Sequence, residues 1–202
     1  MFKYIITLLI LFIINLSVLS IYTVTSASME DTLLVGDAFV VLKFWYGFKL
    51  PFTDRAIIGG FEPVTNEILL FKNPVDPEQV YIKRCVAVGG QSVEIVGKKL
   101  FVDDVEIPLP PEGKHADPIT IPGGPYGSGK RDFRPKETVP DSAIYVLGDN
   151  RDYSIDSRMW GFLPKKNLLG KMGIMMFSVD PEVPWSDIKS KVRWERILKR
   201  IK

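Results

Sequence analysis

Cysteine and histidine are almost missing from this chain: Cys85 and His115 are the single representatives of each in 202 residues. One thiol cannot close an internal disulfide, and one Cys with one His cannot supply a zinc site with its nitrogen and sulfur ligands. The scarcity of histidine also narrows the catalytic options. A Ser-His-Asp triad would need His115 as its base, and His115 lies in the polar loop Glu112-Gly-Lys-His-Ala-Asp117, followed by Pro118. Charge of one sign is lacking too: the formal net charge is only +2, which favours no particular partner. What basic excess there is sits at the end. Residues 187–202 hold seven Lys/Arg against two Asp/Glu, a net +5, leaving the rest at −3.

Two apparent ligand motifs fail on inspection. Gly124-Pro-Tyr-Gly-Ser-Gly129-Lys130 has phosphate-loop spacing, but Arg131 stands where a Mg²⁺-binding Ser or Thr belongs, and no strand and helix flank it. Asp149-Asn-Arg-Asp-Tyr-Ser-Ile-Asp156, counted as a calcium loop, puts Arg151, Ser154 and Trp160 at positions 3, 6 and 12. Neither nucleotide nor metal is expected. No cofactor is expected either, and no nucleic acid.

Tyr4 to Val24 contains no charged residue. As a helix rising ~1.5 Å per residue, 21 such residues cross a hydrocarbon core of roughly 30 Å. Thr25-Ser26-Ala27 resembles a secretory cleavage site, but the apolar run exceeds the usual 7–15 residues of a leader, which favours an uncleaved anchor. Lys3 precedes the span, and Glu30, Asp31 and Asp37 follow it before Lys43. The N-terminus is therefore expected inside, with the remaining chain outside.

Beyond residue 26 the sequence offers no convincing helical stripe before residue 180. Segments 38–43, 67–72, 80–88, 92–96, 99–103, 144–147 and 172–179 are rich in Val, Ile, Phe and Tyr and are punctuated by Gly, Pro and Asp. The expected fold is mainly β: an antiparallel sandwich or barrel-like domain behind one transmembrane helix, interrupted by a loop or small cap. The expected divisions are an anchor at 1–25, β-domain parts at 26–97 and 139–180, a cap or loop insertion at 98–138, and a basic tail at 181–202. Prolines and glycines crowd the stretch 108–140, which reads as surface loop. The tail, with Ile188, Val192, Ile197, Leu198 and Ile201 against a basic face, fits an amphipathic helix lying on the domain or on an anionic bilayer, or a solvated helix. Phe44-Trp-Tyr-Gly-Phe-Lys-Leu-Pro-Phe52 is either a loop packing its rings on the core or a patch at the bilayer interface.

One lysine stands out. In an alternating strand Lys83 shares a face with Tyr81 and Cys85. Desolvation there would lower the amine from roughly 10.4 toward neutrality, and a neutral lysine can take a proton from a serine hydroxyl. From local sequence alone, a lysine snorkelling to solvent fits at least as well. Ser28, taken alone, is equally uninformative.

Three segments together carry more. Ser26-Ala-Ser28-Met29 with Thr32-Leu33-Leu34-Val-Gly36-Asp37, then Tyr81-Ile-Lys83-Arg84, then Gly148-Asp-Asn-Arg-Asp-Tyr-Ser154-Ile-Asp156-Ser-Arg158-Met-Trp160-Gly-Phe resemble, in order and spacing, the nucleophile, base and most distinctive blocks of bacterial type I signal peptidases. The resemblance implies a membrane-bound endopeptidase of the cytoplasmic membrane that cuts preproteins after their signal sequences. It implies Ser28 as nucleophile and Lys83 as general base, with the Ser26 hydroxyl and Ser28 N–H forming the oxyanion hole. Ser154 would orient the Lys83 amine. Asp156 and Arg158 would pair and hold Gly148 and Asp149 behind the site. Met29, Leu33 and Ile82 would shape shallow pockets for small residues at the first and third positions before the cut.

The chain departs from the family in two places. Asp31, after Glu30, stands where the family usually has Pro, and Gly89-Gly90-Gln91 stands in place of Pro-Gly-Asp. Two acids so close to the nucleophile would raise the pKa of a nearby amine. Two alternatives accompany this reading: a related Ser/Lys protease with another target, and a catalytically silent, membrane-tethered peptide-binding β protein.

Overall fold

The computed structural model describes residue 4 and residues 19–49, 56–58, 60–122 and 129–201. Thirteen strands appear among these residues: β1 Leu19–Thr23, β2 Asp37–Leu42, β3 Phe48–Lys49, β4 Ala56–Ile58, β5 Ile68–Lys72, β6 Val80–Val88, β7 Ser92–Val96, β8 Lys99–Val102, β9 Val105–Ile107, β10 Arg134–Thr138, β11 Ala143–Leu147, β12 Leu163–Pro164 and β13 Leu168–Ser178. All pairings between named strands are antiparallel. The expected mainly β, antiparallel architecture is what the chain adopts.

One sheet has the order β1-β2-β13-β5-β6-β11-β12, a second β10-β7-β8-β9, and β3 pairs with β4 alone. The long sheet is open, with β1 and β12 at its edges, rather than closed as a barrel. Its central strands read as continuous apolar runs because both faces are covered: Ile68 to Phe71 of β5 and all of β11 are buried. β2 instead alternates, with Asp37, Phe39 and Val41 inside.

Three expectations change. The apolar run expected as a helix to Val24 ends as strand: Leu19–Thr23 pairs along its length with Ala38–Leu42. Residues 5–18, where the rest of the expected anchor falls, lie outside the described residues. Among the described residues no helix is long and apolar enough to cross a membrane.

Second, β7 joins β8 and β10 in one sheet, so the expected 97/98 boundary falls inside a hairpin. Val93, Ile95, Leu100 and Val102 share a core with Val86, Tyr145 and Leu147 of the long sheet. The 98–138 segment is thus part sheet, packed on the first.

Third, the tail is no continuous helix. A turn of helix at Ile188–Lys191 and a 3-10 turn at Trp194–Arg196 are separated by Val192, which is extended and bridges Val179. Arg196 reaches the buried Asp37 carboxylate at 2.5 and 3.1 Å and Thr32 O at 3.0 Å, while Arg193 bonds Val35 O and Val179 O. The basic residues that suggested a lipid-facing stripe are in part ties to the domain. In the aromatic segment, Trp45 stacks on Phe61 at 4.9 Å and Tyr46 Oη donates to Glu67 at 2.8 Å. Phe52 lies outside the described residues.

Candidate active site

The site forms where the end of β1, the first long hairpin and the loop after β11 meet. After Val24 the chain leaves the sheet and turns through a 3-10 turn, Ala27–Met29, in which Ser28 and Met29 are buried. Met29 and Leu33 belong to the core under this turn, so two fully packed side chains anchor it.

Lys83 stands on β6 opposite Leu69 of β5, with only 3% of its surface exposed. Its Nζ lies 2.6 Å from Ser28 Oγ and 5.3 Å from the centre of the Tyr81 ring. Burial lowers the amine to about 8. Asp156 and, less strongly, Asp149 pull it back up, while Arg158 pushes it further down. Ser26 Oγ is 3.2 Å from Ser28 Oγ. The three segments singled out in the sequence therefore converge.

The loop after β11 supplies the backing. Arg158 forks onto Asp156 with two bonds of 2.8 Å, and Asp156 accepts Gly148 N at 3.0 Å. Burial opposes the Asp156 charge, but Arg158 and the neighbouring donors outweigh it and hold the carboxyl below its ordinary value. Gly148 is required by space: a Cβ there would sit 2.5 Å from Ser28 O and 2.2 Å from Ser154 Oγ. The expected support by Asp156 and Arg158 thus has a direct geometry.

Ser154 is buried at the same place, but its hydroxyl makes no hydrogen bond to Lys83. The Lys83 amine is turned to Ser28, and the Ser154 dipole helps hold Asp156 below its ordinary value.

Sequence reasoning missed two groups. Arg84, the residue after Lys83, points to the other face and grips Asp149 through two bonds of 2.9 and 2.7 Å, with Thr32 donating to the same carboxylate at 2.6 Å. Strand alternation put Arg84 on the face opposite Lys83, but its partner lies 65 residues on. Asn150 was also overlooked. Its N–H donates to Ser28 O at 3.1 Å and its Nδ2 to Ala27 O at 3.1 Å; Glu30 N also donates to Ala27 O, at 3.0 Å.

The two acids after the nucleophile act on the turn and on the Lys114 amine, and neither is among the charges that shift Lys83. Asp31 adopts φ +72°, a left-handed conformation that Asp tolerates and proline's ring forbids. Lys114 bridges Glu30 and Asp31 at 2.9 and 2.8 Å. His115 sits apart from Ser28 and Lys83, 3.6 Å from Asp152, lining a separate cavity with Lys98, Asp117 and Arg151.

A groove of about 410 Å³ opens over Ser28 and Lys83, floored by Met29, Leu33 and Ile82 and flanked by the extended segments 22–26 and 80–83. Among the described residues, no group of His, Cys, Asp and Glu could hold a metal ion.

A serine hydroxyl thus stands against a buried amine in the wall of this groove. The family model described as signal peptidase, peptidase S26, matches residues 1–177. Signal peptidase I of Aquifex aeolicus (strain VF5) is 31% identical, over 83% of this chain and 82% of the relative. Signal peptidase I of Pseudomonas fluorescens is 31% identical over 74% and 62%. A solved signal peptidase I from Enterococcus faecalis V583 aligns at 25% identity over 55% of this chain and 97% of that one, with a TM-score of 0.38. The chain belongs to the signal peptidase family, peptidase S26, and its relatives set it among the bacterial type I enzymes.

Proposed function

We propose that this peptidase is a membrane-bound signal peptidase that cleaves exported preproteins through Ser28 and Lys83. The observation that carries the reading is the 2.6 Å contact between a buried amine lowered to about 8 and a serine hydroxyl at the foot of a peptide-sized groove.

The chemistry follows from those two groups. Neutral Lys83 accepts the Ser28 proton as Oγ attacks the carbonyl carbon of the scissile bond. The oxyanion is met by the Ser28 N–H and the Ser26 hydroxyl, a donor pair of the kind that contributes about 3–4 kcal/mol per donor in acyl transfer. The Lys83 ammonium returns its proton to the departing amine, which leaves as the new N-terminus of the mature protein. Water, deprotonated by Lys83, then opens the acyl-enzyme and restores the serine. No cofactor enters.

Met29, Leu33 and Ile82 make the groove floor shallow, which favours small side chains before the cut. The uncharged run from Tyr4 up to the start of β1 serves as a single-pass anchor in the bacterial cytoplasmic membrane. It keeps the β domain on the outer side, where a preprotein's cleavage site leaves the bilayer. Ser154 acts on Lys83 indirectly, by holding Asp156.

Full-length protein in detergent should cut a preprotein after a small residue, and Lys83→Ala should lower turnover by about 10³-fold with the fold intact, the scale of general-base loss. Near-normal turnover in Lys83→Ala would overturn the assignment.

A further inference from the structure

Three chain segments, 27–31, 110–117 and 148–153, meet beside the nucleophile turn, and Lys114 joins them. The turn Pro110–Gly113 closes with a hydrogen bond from Gly113 N to Pro110 O, and a Cβ on Gly113 would strike Pro110 at 2.6 Å. Lys114 then pairs in parallel with Asn150: Lys114 N donates to Asp149 O and Arg151 N donates to Lys114 O, both at 2.9 Å. Further on, Asp117 N donates to Asp152 at 2.9 Å, and Lys98 ties Asp117 O to Asp152. The segment is a strap laid along the Gly148–Tyr153 loop.

The Lys114 side chain crosses from this strap to the nucleophile turn, where it meets Glu30 and Asp31. Their hydrogen bonds, Asp31 first, hold its amine above the ordinary lysine value. Glu30 also accepts Asn150 Nδ2 at 3.3 Å, so the acid is shared between strap and loop. Asp31, in its left-handed conformation, directs the chain away at this point. Glu30 and Asp31 thus come with their own counter-cation, delivered from a segment more than 80 residues on.

We infer that Lys114 is a positioning residue: with Glu30 and Asp31 it clamps the Ala27–Met29 turn against the Asp149–Arg151 backbone and so fixes where Ser28 Oγ stands relative to Lys83. The inference rests on the peptidase reading of Ser28 and Lys83. Because the three side chains are partly exposed, the clamp acts on a population of turn geometries rather than on overall folding.

The test uses the full chain in detergent and two readouts. In preprotein cleavage, Lys114→Met should lower kcat about fivefold with KM unchanged, the size one exposed ion-pair cluster can supply. Lys114→Arg should restore most of the loss. Adding Glu30→Gln and Asp31→Asn to Lys114→Met should cost nothing more, because the three charges act through one contact and glutamine still offers Asn150 an acceptor; asparagine tolerates the left-handed backbone at 31. In the second readout, hydrogen exchange of the amides in residues 27–34 should quicken in Lys114→Met and stay at the parental rate in Lys114→Arg. This measurement needs no substrate. If the parent protein never cleaves a preprotein, the peptidase reading fails while exchange still reports on the clamp. Unchanged exchange in Lys114→Met, quickened exchange with unchanged kcat, or additive losses in the combined variant would each overturn the inference.

Discussion

Two lysines are buried almost equally, Lys83 at 3% exposure and Lys191 at 5%, and the protein treats their amines in opposite ways. Lys191 Nζ donates to Val183 O at 2.6 Å, approaches Pro181 O at 3.5 Å and lies 5.1 Å over the Trp185 ring. Carbonyl oxygens and a ring face replace the water it has lost, and the lysine fastens residues 181–185 of the tail to the helical turn that follows them. Lys83 has one hydroxyl and a more distant tyrosine ring, while the carboxylates that influence it, Asp156 and Asp149, are both gripped by arginines. Burial with substitute solvation gives a fastener. Burial without it gives an amine that sheds its proton more readily.

Exchanging each lysine for arginine should separate the two most sharply. Lys83→Arg keeps a cation but cannot give up its proton, so preprotein turnover should fall by about 10³-fold; Lys191→Arg should keep turnover near the parent's. Turnover surviving in Lys83→Arg would mean the amine is no base. Next in size is the pH profile. Lys83 works only when deprotonated, so kcat/KM should rise about tenfold per pH unit up to about 8 and level off above it. A profile that instead follows His115 would break the contrast. Smallest is the effect on stability by chemical denaturation. Lys191→Met strands two carbonyls and should cost about 1–2 kcal/mol with turnover kept. Lys83→Met removes a poorly solvated amine and should cost nothing. If both changes destabilise equally, the two burials are alike after all.

Much of this was legible in the sequence, for identifiable reasons. β6 and β7 match the expected segments residue for residue, and β5, β8 and β11 match within one residue, because their Val, Ile and Tyr runs are bounded by Gly, Pro or Asp. β10, Arg-Pro-Lys-Glu-Thr, was hidden because an edge strand needs little apolar surface, and its proline suits only such a place. β1 was hidden inside a longer uncharged run whose composition satisfies a membrane helix, whereas the structure puts its end in a half-exposed edge strand. The tail's apolar spacing suggested one helix, but the extended Val192 bridge and the Arg193 and Arg196 ties to Val35, Thr32 and Asp37 set its path instead. At the site, the Ser28 and Lys83 pairing could be read because the three blocks are distinctive together. The grip of Arg84 on Asp149 and the reach of Lys114 to Asp31 could not, since both join residues with nothing in their local sequence to link them.

The carbonyl of Ala27 shares one rigid plane with the amide hydrogen of Ser28, pointing the opposite way. Glu30 and Asn150 hold that carbonyl from behind. The heading of the Ser28 N–H is therefore set from the far side of the peptide, which is what the proposed oxyanion donor would need before any guest enters.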